Sequence, residues 1–388
     1  MRADRNWVKR NLGFDPSEIS LPAKAFARAE AVAPAKPEDF QREIIDFDSE
    51  ATEGREFLSF TTATGLSRFA DIPWPRNLAP LPAAKLTRKA SDPLPRADVL
   101  IVTWTVDEGH ALSRVLTPGK DSHDDYLSYT HNYATISKKM RNGCPAKEAK
   151  RLGAYWTTKI GGKSVVVFKS DSHMSQDGPQ MPNIDVWRQI IEEVKPKLVI
   201  TTGTAGGIGT AVEVGDVLVS SIVTFDCLKS FKNFKADGAL IAHEDFSSAA
   251  ANTKYFSKAK ELFKTNADQL PKTNTRAPKI IKAGPRSLKT GVLTTDFFGF
   301  DTSENYYKLQ GLGTVSEMGD AVLGLVAHEM GGKAPPWLAI RNVSDPQIAA
   351  SVGTLTQQAN YAATIYKGYG RWSSVCSAIV CWASVAAL

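Results

Sequence analysis

Residues 197–219, KLVITTGTAGGIGTAVEVGDVLV, constrain the fold of this chain more than any other stretch. Leu198, Val199 and Ile200 form a short apolar run behind Pro196, the pattern of a strand covered on both faces in a central parallel sheet. Gly203, Gly206, Gly207 and Gly209 follow at once, so the sequence predicts a buried strand that enters a glycine-rich turn and then a second strand. Glycine permits positive φ and lets backbone N–H groups approach an anionic or hydroxyl-rich ligand, while Thr201, Thr202 and Thr204 add hydroxyls beside them. A tight turn with no ligand would show the same glycines, and two further segments bear on the choice.

In residues 314–330, TVSEMGDAVLGLVAHEM, Val322, Leu325, Val326 and Met330 recur at helical spacing, with Glu317 and Met318 expected at the helix start. Residues 337–345, WLAIRNVSD, read as an apolar strand that ends in Ser344 and Asp345. That is the carboxyl end of a strand, where open α/β sheets bind ligands.

TTGTAGGIG, then VGDVLVS, then EM and then RNVSD resemble, in order and spacing, the nucleoside phosphorylase and nucleosidase superfamily. The pattern is most similar to the branch that cleaves methylthioadenosine and S-adenosylhomocysteine, which reads TGSAGG, VGD, E-M-E and R-x-x-SD. The resemblance covers residues 97–370. It implies an α/β fold, a three-layer α/β/α sandwich with a mixed central sheet, and a homo-oligomer, because family members often complete the pocket with a neighbour's residue.

Composition agrees with a folded enzyme. The 388 residues are 43% hydrophobic, enough for a large core. Lys plus Arg number 47 against 41 Asp plus Glu, a net charge of +6. So mild an excess, with no concentrated basic stripe, argues against nucleic acid as a partner and leaves a small, at most anionic, ligand. The cysteines at 144, 227, 376 and 381 lack metal-ligand spacing, so no metal site is expected and a reduced, cytoplasmic protein is the simplest reading. The N-terminus has no apolar core of signal-peptide length. The apolar tail, residues 375–388, is too short to span a bilayer and reads as a packed terminal helix, with no membrane partner.

Residues 1–95 are punctuated by proline and alanine and read as an extension wrapped on a catalytic domain of residues 96–388. Trp7, Phe40, Phe57, Phe60, Phe69 and Trp74 are too many aromatic residues for a fully disordered tail. A lid, an oligomer arm or a specificity element would each suit it. The domain opens with a strand at 98–103 and a helix start in TVDEGHALSRVL; a helix is expected at 183–195. Insertions near 117–158 and 228–290 depart from the compact family version.

Cleaving the N-glycosidic bond of a purine nucleoside puts negative charge on the base and oxocarbenium character on the ribose, so the site needs an acid near the base. The resemblance places Asp345 there, with Arg341 and Ser344 completing the motif; a Ser-Asp pair also caps helices. It places Glu108 as the carboxylate that positions the attacking water, with Asp107 as a neighbour, although acids in a first helical turn also serve the helix dipole. Phe298, near Phe297 and Phe300, takes the base-stacking position; such clusters are also ordinary core. Thr204, Ala205 and Gly206 belong to the glycine segment, Thr204 in place of the family's serine, and the resemblance implies that Met318 lies beneath the ribose.

One departure stands out. The family's second glutamate, which holds the ribose 2′ and 3′ hydroxyls, is Gly319 here. Asp320 or Glu317 supplies the carboxylate from an adjacent position, or the ribose is held differently, or activity toward ordinary nucleosides is lost. The leading reading is hydrolysis of a purine nucleoside or related purine-ribosyl compound, with no cofactor. A phosphate-dependent purine nucleoside phosphorylase and a non-catalytic purine-nucleoside-binding protein are the alternatives. A nucleotide ligand is a further option, given Lys138, Lys139, Arg276, Lys279, Lys282 and Arg286 in the additions.

Overall fold

The computed structural model of the protein describes residues 2–12, 70–227, 240–242, 248–284, 289–296 and 298–388. Its strands are β1 (Arg2–Ala3), β2 (Leu81–Pro82), β3 (Val99–Thr103), β4 (Leu127–Tyr129), β5 (Gly153–Ile160), β6 (Lys163–Ser170), β7 (Leu198–Gly207), β8 (Val217–Ser220), β9 (Ile222–Phe225), β10 (Leu240–Ala242), β11 (Ile280–Ala283), β12 (Val292–Thr294), β13 (Val315–Glu317), β14 (Trp337–Asp345) and β15 (Gln347–Ile348). Helices of eight or more residues are α1 (Arg5–Leu12), α2 (Val106–Leu116), α3 (Pro182–Val194), α4 (Tyr255–Phe263), α5 (Asp320–Met330) and α6 (Leu355–Ala386).

Strand β7 is the hub of a mixed sheet. It runs parallel to β3 on one side and to β14 on the other, and its last residues pair antiparallel with β13. Strand β6 continues the sheet beyond β3 in parallel, and β5 joins β6 antiparallel. Beyond β14 lie β8, antiparallel, and then β11.

Alternation along the strands creates the three layers. Val99 and Ile101 of β3 pack in one cluster with Leu112 and Val115 of α2 and Ile379 of α6. Leu100 and Val102 enter a second cluster with Trp187 and Ile190 of α3 and Val322 of α5. Each fully buried side chain of this size contributes roughly 1.5–3 kcal/mol. The expected α/β/α sandwich is the fold observed.

The expected helices form for visible local reasons. Thr105 caps α2 in a capping box with Glu108, and Pro182 occupies the first turn of α3, whose Val186, Ile190, Ile191 and Val194 are buried. The terminal segment proves to be the end of the 32-residue α6, also opened by a capping box, between Thr354 and Gln357. A buried polar node fixes α6 to the sheet: Asn342 Nδ2 donates to Gly203 O at 2.8 Å and Ser377 Oγ at 3.0 Å, and Ser373 Oγ donates to Asn342 Oδ1 at 2.6 Å. Among the described residues, no helix is long and apolar enough to cross a membrane.

Before residue 95, Trp7 is buried edge-on against Tyr369 at 5.6 Å, and Trp74 lies 4.9 Å from Trp382, so both described pieces contact α6. Phe40, Phe57, Phe60, Phe69, Phe297 and Arg286 lie outside the described residues.

Two local expectations are corrected. The glycine-rich turn is instead a strand, because β7 continues through Gly203, Gly206 and Gly207 and turns only afterwards, where Gly209 has φ 74°. Pairing to β14 along its length and to β13 at its end satisfies the backbone that a loop would leave unpaired. Glu317 likewise ends β13 rather than opening a helix; α5 begins at Asp320, after Met318 and Gly319.

Candidate active site

The carboxyl ends of β3, β7 and β14 and the end of β13 converge on one cleft. Its lining includes Glu108, Thr204, Ala205, Gly206, Phe298, Glu317, Met318, Arg341, Ser344 and Asp345. Ten residues singled out from the sequence therefore meet in one place. Asp320 does not line the cleft, and neither does Asp107, whose charge is felt by Arg371 and His110. Trp104, His173, Ser316 and Tyr366 line it as well. Ser316 directly precedes the Glu317-Met318 pair, whereas the other three carried no motif: Trp104 and His173 follow strand ends as single residues, and Tyr366 sits within a long helix.

Glu108 is held from both sides. One carboxylate oxygen accepts Thr103 Oγ1 at 2.8 Å and the N–H groups of Trp104 and Thr105 at 3.2 and 3.0 Å. The other accepts Thr204 N at 2.6 Å and Thr204 Oγ1 at 2.7 Å. Burial alone would raise its pKa, but the charge of Arg341 and the hydrogen bonds from Thr105 and Thr204 outweigh burial and lower it, so the group is ionised. Gly203 makes this approach possible. Its φ is 153°, and a Cβ there would fall 2.4 Å from the Glu108 carboxyl carbon.

Asp345 has the opposite environment. It is buried, Ser344 Oγ donates to it at 2.9 Å, and burial pushes its pKa up to about 7. The register shifts between Val343 and Asp345, an irregularity that lifts Ser344 out of the ladder. The pair caps no helix, since β15 follows directly.

The remaining carboxylates, Asp320 and the cleft-lining Glu317, are engaged by protein donors. Asp320 takes Arg341 in a two-pronged pair, Nε at 2.8 Å and Nη2 at 2.6 Å, and Glu317 lies 3.0 Å from the same Nη2. Glu317 also accepts Thr294 Oγ1 and the N–H groups of Gly319 and Asp320, the latter two at 2.7 and 3.0 Å. All four of its usual acceptor directions are thus taken. Trp104 covers this cluster, with the Arg341 guanidinium 4.8 Å from its ring centre. Neither Glu317 nor Asp320 is free to grip a ribose diol in place of a side chain at 319.

His173 lines the cleft as a neutral imidazole; burial lowers its pKa to about 4, and Nδ1 lies 2.8 Å from Ser175 Oγ. Among the described residues, no group of three or more His, Cys, Asp or Glu side chains could hold a metal ion. Lys138, Lys139, Arg276, Lys279 and Lys282 do not line the cleft. Lys139 pairs with Asp185, Arg276 with Asp216, and Lys279 Nζ donates to Ala211 O.

The family described as the phosphorylase superfamily matches residues 129–367, and the chain belongs to it. No curated protein matches the sequence. Among solved structures, the chain is similar to a 5′-methylthioadenosine/S-adenosylhomocysteine nucleosidase from Neisseria meningitidis in complex with methylthio-immucillin-A. Identity is 16% over 75% of this chain and 100% of that one, with a TM-score of 0.46. The enzyme of the same name from Helicobacter pylori gives 14% over 76% and 99%, TM-score 0.47. Futalosine hydrolase of Helicobacter pylori gives 13% over 75% and 97%, TM-score 0.44.

Proposed function

We propose that the cleft hydrolyses the N-glycosidic bond of a purine nucleoside or related purine-ribosyl compound and releases the free base. The observation that carries this reading is the contrast between two buried carboxyl groups of one cleft, Asp345 raised to about 7 and Glu108 held ionised. Groups whose environments push their pKa values apart are suited to acid and base roles. Asp345 gives its proton to the departing base as the bond to C1′ breaks, and water bonds to C1′ while its own proton passes through the Thr204 hydroxyl to Glu108. Glu108 reaches that water through Thr204, because five donors already occupy its own acceptor directions. The Thr204 hydroxyl donates to Glu108 and keeps lone pairs for the water. Phe298 offers an apolar face to the base.

Hydrolysis is favoured over phosphorolysis by Arg341. It is the one arginine among the described lining residues and is committed to Asp320 and Glu317. Binding without cleavage is the second reading, favoured by the commitment of Glu317 and Asp320 to protein donors. The deciding experiment is a chromatographic screen of adenosine, methylthioadenosine, S-adenosylhomocysteine, inosine, guanosine and AMP, with and without phosphate, on the native protein and Asp345→Asn. Free base without phosphate, absent in the variant, is the expected result. Phosphate dependence would make the protein a phosphorylase, and intact recovery of a tightly bound nucleoside would make it a binding protein.

A further inference from the structure

The cleft lies across four parallel strands. β14 pairs with β7, β7 with β3 and β3 with β6, all running in one direction, so their carboxyl ends open on the same edge. Asp345 ends β14, Thr204 in β7 and Thr103 at the end of β3 both donate to Glu108, and His173 stands just beyond the end of β6. Successive strands lie about 4.8 Å apart, so the strand that carries Asp345 and the strand that leads to His173 are separated by about 14 Å, with Glu108 between them. A nucleoside with its base at Asp345 and its C1′ beside Glu108 and Thr204 therefore extends its far end, the 5′ carbon and its substituent, toward His173.

His173 is prepared for a polar contact. Its Nδ1 lies 2.8 Å from Ser175 Oγ, and its ring meets Trp104 edge-on at 6.4 Å with an interplanar angle of 88°, so the ring is held on two sides. Nε2 has no hydrogen-bond partner among the described residues and keeps accessible surface. The side chain lines both the cleft and a small cavity that continues from it past Trp104. In a neutral imidazole one ring nitrogen donates and the other accepts, so the role of Nε2 follows from what the Ser175 hydroxyl does at Nδ1. A ligand hydroxyl answers either state, because it can donate or accept. A thioether sulfur offers only a weak acceptor.

We infer that His173 is a specificity residue that reads the 5′ end of the substrate through Nε2, selecting nucleosides that end there in a hydroxyl over those that end in a thioether. The inference rests on the purine-ribosyl reading of the cleft. It narrows the substrate class to nucleosides with a free 5′-hydroxyl.

The test is calorimetric binding of adenosine, 5′-deoxyadenosine and methylthioadenosine to the full chain, with all three measured in the Asp345→Asn background if the native protein turns any of them over. Adenosine and 5′-deoxyadenosine differ by a single oxygen. One hydrogen bond in a buried site predicts that adenosine binds roughly three- to tenfold tighter than 5′-deoxyadenosine, and tighter also than methylthioadenosine. His173→Phe keeps a planar ring without its nitrogens and should bring adenosine and 5′-deoxyadenosine to within about twofold of each other. His173→Gln, whose amide reaches the place of Nε2, should restore part of the preference, which a purely structural role for the ring would not do. Equal affinity of adenosine and 5′-deoxyadenosine with His173 in place, or tighter binding of methylthioadenosine than of adenosine, overturns the inference and leaves the nucleosidase reading intact. That comparison stands even if His173→Phe fails to fold. A preference that survives in His173→Phe assigns the hydroxyl to another residue and overturns the inference as well. Absence of binding by all three compounds overturns both readings. Base release is scored separately, so failure of hydrolysis and failure of the specificity role give different patterns.

Discussion

Gly319 and Trp104 share one volume. A Cβ on Gly319 would lie 3.2 Å from Cζ2 of Trp104, so the indole stands where a longer side chain at 319 would go. The φ at 319, −166°, lies outside the left-handed region that favours glycine, so space is the obstacle. Gly319→Glu should therefore destabilise the protein by about 1–3 kcal/mol through overpacking, without strengthening adenosine binding relative to 2′-deoxyadenosine. Adding Trp104→Ala should relieve the clash and create a preference for the ribose compound. Denaturant unfolding with paired binding measurements checks both, and a strong ribose preference in the native protein would refute this account.

Asp345→Asn should lower base release by at least about a hundredfold, the usual contribution of a positioned general acid, with little change in the unfolding midpoint. In the native protein the acid must be protonated. Cleavage should be flat at low pH and fall as pH rises through about 7, the value to which burial lifts this carboxyl. A pH profile of kcat with no such limb would remove Asp345 from the acid role.

Glu108→Gln should cost stability as well as turnover. The carboxylate accepts five hydrogen bonds, and an amide would turn its NH₂ group toward donors at 2.6 to 3.2 Å. Donors left unpaired in the interior cost roughly 1–3 kcal/mol each, so a loss of about 2–3 kcal/mol is expected. Urea unfolding of the variant, with an unchanged m value, measures it.

Asp177 should make the protein less stable as pH rises. It is buried, Oδ1 has no hydrogen-bond partner among the described residues, and Ser172 Oγ and His173 N donate to Oδ2. Burial raises its folded pKa from 3.8 to about 7, so the folded state binds the proton more tightly. Its contribution is full below the unfolded value and is lost between about pH 4 and 7. Asp177→Asn should flatten the fall in Tm across that window, and thermal melts from pH 4 to 8 will show whether it does.

Much of the site was legible because motif residues sit at strand ends. Asp345 and Glu108 each follow an apolar run, and parallel strands bring their carboxyl ends to one edge. Trp104 was not legible, since nothing in a lone tryptophan after a strand says that its ring will cover Arg341 and fill the space beside Gly319. The continuation of β7 through its glycines escaped for a related reason. Glycine reads locally as a turn, and here pairing with β14 and β13 overrides that preference.

The sequence by itself determined the layers, through apolar strands and helices of the right period, and the members of the motif set, through their order along the chain. Tertiary structure alone decided the state of each charge. Asp345 and Glu108 are similar carboxyl groups in the sequence, yet one is buried beside the Ser344 hydroxyl with no cation among the described residues acting on it to offset burial, and the other is surrounded by donors and near Arg341. Thr204 lies 96 positions from Glu108 along the chain and Arg341 lies farther still, so their effect exists only once the strands have paired.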